Sequence, residues 1–292
     1  MTDRPGLLTP RQVARAIGVS EASVKRWCDQ GVIETTRTAG GHRRLRADSV
    51  TAFLRESGHT VVQPEVLGLP STSGHTARII NRGCNLFVEA LRSGQRDVAW
   101  QTIADLRQAD HSLASIGDHV ITTAMSKLAG ETSDKPEAEY RTRRANVICL
   151  RIIHDLHSEL PLPGANAPAG YAAALDGEEH DLTVSLAELI LRSVGWNASS
   201  LGTGLPFHTL KQAIRDHAPR ILCVQIPLIR DESRLVREFI SLRRVAANRG
   251  SRVAVIGRWS ASETLRERIH SDDFCETFTE LELLARKHRP KR

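Results

Sequence analysis

A cluster of cationic side chains marks the first fifth of this 292-residue chain. Arg37, His42, Arg43, Arg44 and Arg46 crowd into TTRTAGGHRRLR, and Lys25 and Arg26 precede them in EASVKRWCDQ. Like charges set this close repel unless an acidic partner faces them, and the phosphate backbone of double-stranded DNA is such a partner. Ser23, Lys25, Arg26, Arg37, His42, Arg43 and Arg44 are therefore the candidate DNA-contacting residues. The bland alternative is an ordinary solvated charge run. The cluster's coincidence with a complete helix-turn-helix pattern puts that alternative behind. Chemistry of other kinds is not signalled: the chain shows no paired carboxylates at catalytic spacing, no nucleophile elbow and no phosphate-binding glycine loop, so an enzyme is not expected.

The elements that would carry these cations follow from local pattern. In TPRQVARAI, Thr9 is placed to cap a helix and Pro10 to occupy its first position, with Val13, Ala14 and Ile17 on one face. Gly18 ends that helix, and Ser20 caps a second whose Val24 and Trp27 turn inward, leaving Lys25 and Arg26 outside. Gly31 closes the second helix. Val32 and Ile33 are expected to begin a strand leading into a Gly-Gly turn, a wing, and ADSVTAFLRES forms a third helix packing Val50, Phe53 and Leu54.

Charge and composition agree with this placement. Residues 1–58 hold nine Arg and one Lys against six acidic residues, so most of the chain's net charge of +6 lies there. The five cysteines, Cys28, Cys84, Cys149, Cys223 and Cys275, are far apart and lack C-x-x-C spacing, which indicates neither a disulfide framework nor a zinc site. No apolar run reaches the roughly eighteen residues a bilayer requires, and the first residues lack the order of a signal peptide. A cytoplasmic protein without membrane partners is expected.

Two stretches rich in Pro, Gly and small residues, 59–76 and 161–170, read as linkers and divide the chain. Residues 1–58 form the head. Between the linkers, 77–160 carries apolar residues at helical spacing near 77–93, 95–115, 117–129 and 136–158, the pattern of a four-helix bundle. In 171–292, the runs 171–175, 196–201, 220–226, 252–257 and 273–278 alternate with amphipathic segments near 180–193, 208–217, 231–248 and 262–270 and a last one after 279. That alternation predicts a doubly wound α/β domain with a parallel sheet, whose ligands sit at the carboxyl ends of the strands.

The order of Gly-Val-Ser turn, Arg-Trp helix and Ala-Gly-Gly-His-Arg-Arg wing resembles the MerR superfamily over the whole head, and closely similar excisionase-type heads. A MerR-type head followed by a four-helix bundle and a doubly wound domain is similar to the CarH/LitR photoreceptor regulators, which hold adenosylcobalamin between bundle and α/β domain. That resemblance implies an upper face of the cofactor covered by Trp100 with Asp110 and His111, which stand where the family has a Glu-His pair. It also implies a lower cobalt ligand at His180, within DGEEHDLT, with Glu178 matching the acidic position of the family's E-x-H-x-x-G loop. Gly257 matches the first glycine of the pair after the fourth strand.

Departures from that pattern are specific. Thr183 stands at the motif's glycine, Gln225-Ile226-Pro227 at its Ser-x-Leu, Arg258 at its second glycine, and Gln101 at the histidine that takes the cobalt after photolysis. The resemblance implies a transcription regulator that binds an operator as a dimer or tetramer and senses cobalamin, with light as a further input. Open beside it stand a cobalamin-independent regulator whose cleft takes another tetrapyrrole or a protein partner, an architectural DNA binder, and a corrinoid-carrying enzyme subunit.

Overall fold

The computed structural model describes residues 7–38, 40–57, 61–67, 77–131, 136–177, 181–226, 231–257 and 263–289. These residues form an N-terminal helix-turn-helix head, a helical segment and a five-stranded parallel sheet with helices. The chain divides into two compact units, one comprising 1–112 and 119–130 and the other 113–118 and 131–292.

In the head, α1 (Pro10–Ile17) and α2 (Glu21–Asp29) start and stop where local chemistry directs. The Thr9 hydroxyl accepts from the Gln12 amide at 3.2 Å while Gln12 Oε1 accepts from the Thr9 amide at 2.8 Å, closing a reciprocal cap. Gly18 ends α1 with φ 71°, in the left-handed region that glycine enters without steric penalty. The strands are β1 (Leu7–Leu8), β2 (Thr35–Arg37) and β3 (Arg43–Arg46), in antiparallel order β1-β3-β2, with α3 (Ala47–Ser57) following.

Two details differ from the sequence reading. The strand expected from Val32 begins only at Thr35, because the amides of Val32 and Ile33 both turn back to the Trp27 carbonyl that ends α2. Ile33 then drops into the core, whereas Val32 remains 53% exposed. Residues 61–67, taken from composition as linker, fold onto α1: the Val62 and Gln63 amides donate to the Ala16 carbonyl at 2.7 and 2.9 Å, and Val61 and Leu67 join the head's core.

The helical segment comprises α4 (Ala77–Ser93), α5 (Arg96–Gln108), α6 (Leu113–Ile116), a π-helical turn (Gly117–Thr122), α7 (Thr123–Gly130) and α8 (Pro136–Glu159). In one unit α4 packs on α5 and α7; in the other α6 and α8 pack on helices that flank the parallel sheet. The helix expected over 95–115 ends at Gln108, and the break is made by Asp110 at φ 60°. Aspartate tolerates this conformation better than most residues, which is why periodicity alone passed through it.

The second unit is built on β4 (Ala169–Leu175), β5 (Asn197–Leu205), β6 (Ile221–Gln225), β7 (Arg252–Ile256) and β8 (Asp273–Cys275), all parallel, in the order β5-β4-β6-β7-β8. The helices between are α9 (Leu182–Ser193), α10 (Phe207–His217), α11 (Glu232–Asn248), α12 (Glu263–Ile269) and α13 (Phe278–His288). The strand expected over 273–278 stops at Cys275, since Phe278 already opens α13. The strand expected over 196–201 runs on to Leu205.

Successive side chains of a strand leave opposite faces of the sheet. Leu222, Val224, Val253 and Val255 fill the face covered by α10, α11 and α12, with Leu210, Phe239 and Leu242 against them. The opposite face is made of Ala172, Ala174, Cys223 and Ala254, and these small side chains let α9 approach closely. Trp196, fully buried after α9, donates its indole N–H to the Ala285 carbonyl of α13 at 3.1 Å and ties the two helices of that layer.

Candidate nucleic-acid interface and strand-end cleft

On the head, the candidate cations divide by partner. Ser20 caps α2 through the Ser23 amide at 3.1 Å, and its hydroxyl lies 2.9 Å from the Ser23 hydroxyl, so Ser23 takes part in the cap. Lys25 pairs with Glu21 one turn back at 2.8 Å. Arg43 reaches from β3 to Asp29 at the end of α2, 2.6 Å away. Arg46 holds Asp48 through two hydrogen bonds of 3.1 and 2.7 Å, and these hold the Asp48 carboxyl at a pKa of about 2. The wing's cations therefore do not all await an outside acid, which corrects the premise that only a polyanion relieves their repulsion. Arg26, Arg37 and His42 are exposed and make no ion pair among the described residues. Arg44 is half-buried and spends one N–H on the Arg43 carbonyl at 3.2 Å.

The Arg43–Asp29 pair is the residue contact that sequence reasoning missed. It links the hairpin to the second helix across fourteen positions and presents Arg26, Arg37 and Arg44 on elements joined side by side. Trp27, expected as core, is half-buried with its ring 5.0 Å from that of Phe53. Cys28 is buried beneath, and burial raises its thiol pKa.

In the helical segment Trp100 is half-buried, while the core of α5 consists of Ala99, Thr102, Ile103 and Leu106. Asp110 is exposed and His111 half-buried, both in the turn after α5, where their amides donate to the Arg107 and Leu106 carbonyls. Gln101 donates to Asp105 at 2.7 Å on the exposed side of α5.

The second unit has its topological switch at β4: the chain passes from it to β5 on one side and to β6 on the other. Such a reversal opens a crevice at the carboxyl ends of the strands. Asp176 and Gly177 leave β4 there, and Asp181 precedes α9 with its carboxylate 3.1 Å from the Thr203 hydroxyl. Glu178 and His180 lie outside the described residues, as do Pro227 and Arg258. At the end of β5, Gly202 and Gly204 have φ of 88° and 68°, and a β-carbon on either would meet no heavy atom within 4 Å. Open space therefore adjoins bare backbone at this strand end. Thr183 and Gly257 are brought together: a β-carbon on Gly257, whose φ is 87°, would lie 3.4 Å from the Thr183 methyl. No group of three or more metal-ligating side chains occurs among the described residues. No helix among them is long and apolar enough to cross a membrane.

Residues 7–58 match the family described as the helix-turn-helix domain. No curated protein matches the chain. Among solved structures, the monomethylamine corrinoid protein of Methanosarcina barkeri is similar with a TM-score of 0.54 at 13% identity, covering 69% of this chain and 95% of that one. A cobalamin-binding protein from Desulfitobacterium hafniense DCB-2 aligns at 16% identity with a TM-score of 0.37, covering 71% of this chain and 97% of that one. The methanol:cobalamin methyltransferase complex of Methanosarcina barkeri aligns at 14% identity with a TM-score of 0.35, covering 75% and 91%. The first likeness establishes a shared fold for the helical segment and parallel sheet; the other two carry no further argument.

The Thr183 methyl occupies space beside Gly257 that a glycine at 183 would leave open.

Proposed function

We propose that this protein is a DNA-binding transcription regulator of the MerR type, arranged like the CarH/LitR regulators, whose second unit binds a corrinoid at the carboxyl ends of β4 and β6. The observation that carries the reading is the union in one chain of a matched helix-turn-helix head, with Arg26 and Arg37 exposed on its surface, and a sheet of corrinoid-protein fold. A fold alone does not fix a function, and the matched helix-turn-helix domain favours a regulator over a corrinoid-carrying enzyme subunit. The protein is read as a regulator without catalytic activity.

Within this reading, Arg26, Arg37 and Arg44 take phosphates, and Arg43 holds the hairpin to α2 through Asp29. One head neutralises few phosphates, so binding as a dimer or tetramer supplies the affinity, and a change in assembly is the switch. By the CarH/LitR resemblance, His180 would be the residue that holds the cobalt. When bound, cobalamin supplies a cobalt–carbon bond that light breaks. The exposed Gln101, spent on Asp105, leaves no imidazole at that position, and the Thr183 methyl narrows the cleft beside Gly257. Those two features favour a second reading, a regulator whose cleft takes another ligand.

Reconstitution with adenosylcobalamin tests the pair. Corrin absorbance that survives gel filtration, with a spectrum shifted by His180→Ala, supports the first reading; a colourless protein supports the second. Gel shifts in darkness and after illumination then read the switch. For the head, Arg37→Ala or Arg44→Ala is expected to flatten the log-log salt dependence of DNA affinity by about one unit per lost phosphate contact. Unchanged slopes would remove the head from the account.

A further inference from the structure

The end of the sheet opposite the ligand crevice carries cations that the proposed function does not use. In a doubly wound domain the helices run back against the strands, so the helix C-termini gather at the strands' amino ends. Here that edge brings together Arg192 from the last turn of α9, Arg220 before β6, Arg249 after α11, Arg252 opening β7, and Lys287 with Arg289 at the end of α13. Their proximity is recorded in contacts. The Arg220 Nε donates to the His288 carbonyl at 3.1 Å, and the Arg252 amide donates to the Arg220 carbonyl at 3.1 Å. The Arg289 guanidinium packs over Gly195, where a β-carbon would come within 2.6 Å of it.

Helix C-termini attract cations, which accounts for some of these side chains. It does not account for all of them. Each helix end presents about half a negative charge, and the four that meet here, of α9, α10, α11 and α13, sum to about two. The nearby carboxylates are committed: Asp272 to Arg243, Asp273 to Arg252, Asp216 to Gln212 and Glu282 to Arg286. Arg220, Arg249, Lys287 and Arg289 remain exposed. Two buried nitrogens here, Arg192 Nε and His288 Nε2, lack a hydrogen-bond partner among the described residues. Burial, then the Arg252 guanidinium, pushes the His288 pKa below its ordinary value, as expected in a positive field that Asp273 only partly offsets.

We infer that this strand-amino edge is a second DNA-contacting surface, which grips the phosphate backbone of double-helical DNA without reading its sequence. Three of its four exposed cations are arginines, whose forked donors match phosphate oxygens. The inference rests on the head binding DNA, because tethering to a bound head keeps this edge at high local phosphate concentration. No group on the edge is arranged to read bases, so its contribution is salt-sensitive and indifferent to sequence.

The test uses the full chain and a long labelled duplex of mixed sequence, with affinity measured by anisotropy across a salt series. Arg220→Glu/Lys287→Glu/Arg289→Glu is expected to reduce the log-log slope by about two to three units, and the corresponding lysine substitutions at 220 and 289 to retain it. Should the triple variant fail to fold, Arg249→Glu/Lys287→Glu, placed on exposed helix ends, is expected to reduce the slope by one to two units, about one per contact. Wild-type slopes from either folded edge variant would overturn the inference. A loss on heparin without a loss on DNA would overturn it too, by assigning the edge to another polyanion. The head reading fails separately: Arg37→Ala/Arg44→Ala would then bind like wild type whatever the edge variants do.

Discussion

Asp118 offers the most direct test of how the π-helical turn is attached to the start of α13. It sits in the π-helical turn, and its carboxylate accepts from the Phe278 amide at 2.7 Å, the Thr279 amide at 2.9 Å and the Thr279 hydroxyl at 2.7 Å. Those are the first two amides of α13; the third, of Glu280, is taken by the Thr277 hydroxyl at 3.1 Å. A helix start leaves such amides without partners in the helix itself, and a carboxylate there also meets the positive end of the dipole. Gly117 makes the approach possible, since a β-carbon on it would stand 3.2 Å from the Phe278 ring.

Replacing Asp118 with Ala removes all three bonds. Hydrogen bonds to a charged group contribute about 1.5–3 kcal/mol each when buried, but Thr279 is exposed and water replaces part of its loss. The expected cost is thus about 2–3 kcal/mol, or about 4–12 °C in the melting temperature of a domain this size. Asp118→Asn keeps one acceptor oxygen and is expected to cost roughly half as much. Urea unfolding followed by circular dichroism gives the free energy. Hydrogen exchange at the Phe278 and Thr279 amides localises it, because these two protons should lose protection first. A destabilisation below about 0.5 kcal/mol, with exchange at both amides unchanged, would refute the reasoning.

Three further outcomes follow from the same structure. Trp196→Phe removes the indole donor and leaves the Ala285 carbonyl without it; a loss of about 1–3 kcal/mol is expected in denaturant unfolding, and a neutral result would mean the bond contributes nothing net. Burial pushes the thiols of Cys149 and Cys275 up to about 12 and raises that of Cys223 as well. A disulfide reagent at pH 8 should therefore leave these three unmodified in native protein and react once the chain is unfolded. The Asp48 carboxyl, held at about 2 by Arg46 against an ordinary 3.8, contributes stability that is present above the ordinary value and lost as pH falls through about 2. An NMR titration of that carboxyl with a midpoint near 3.8 would show that the pair does not persist in solution.

The head was legible because its signals are local. Thr9 and Gln12 cap α1 from three residues apart, Gly18 supplies its own left-handed ending, and Val13, Ile17 and Val24 form a core at helical spacing. Where a distant partner intervened, reading by pattern slipped. Leu7 and Leu8 form a strand only because β3 is there to pair with them, and Val61 and Leu67 join the head although their surroundings look like linker. Asp110 broke a helix that its neighbours' periodicity would have continued.

What the amino-acid order determined by itself is the succession of parts: a cationic helix-turn-helix with a hairpin, amphipathic helices, then strands alternating with helices. Propensity, capping and period-two or period-3.6 patterning act over a few residues and need no fold to operate. What only tertiary structure decided is which charges are already satisfied and which are left over. Arg43 is tied to Asp29, Asp118 reaches α13 from 160 positions away, and Arg220, Arg252 and Lys287 assemble on one edge of the sheet. Coulomb and hydrogen-bond energies depend on distance in space, and separation along the chain carries no information about that distance until the sheet has ordered its strands.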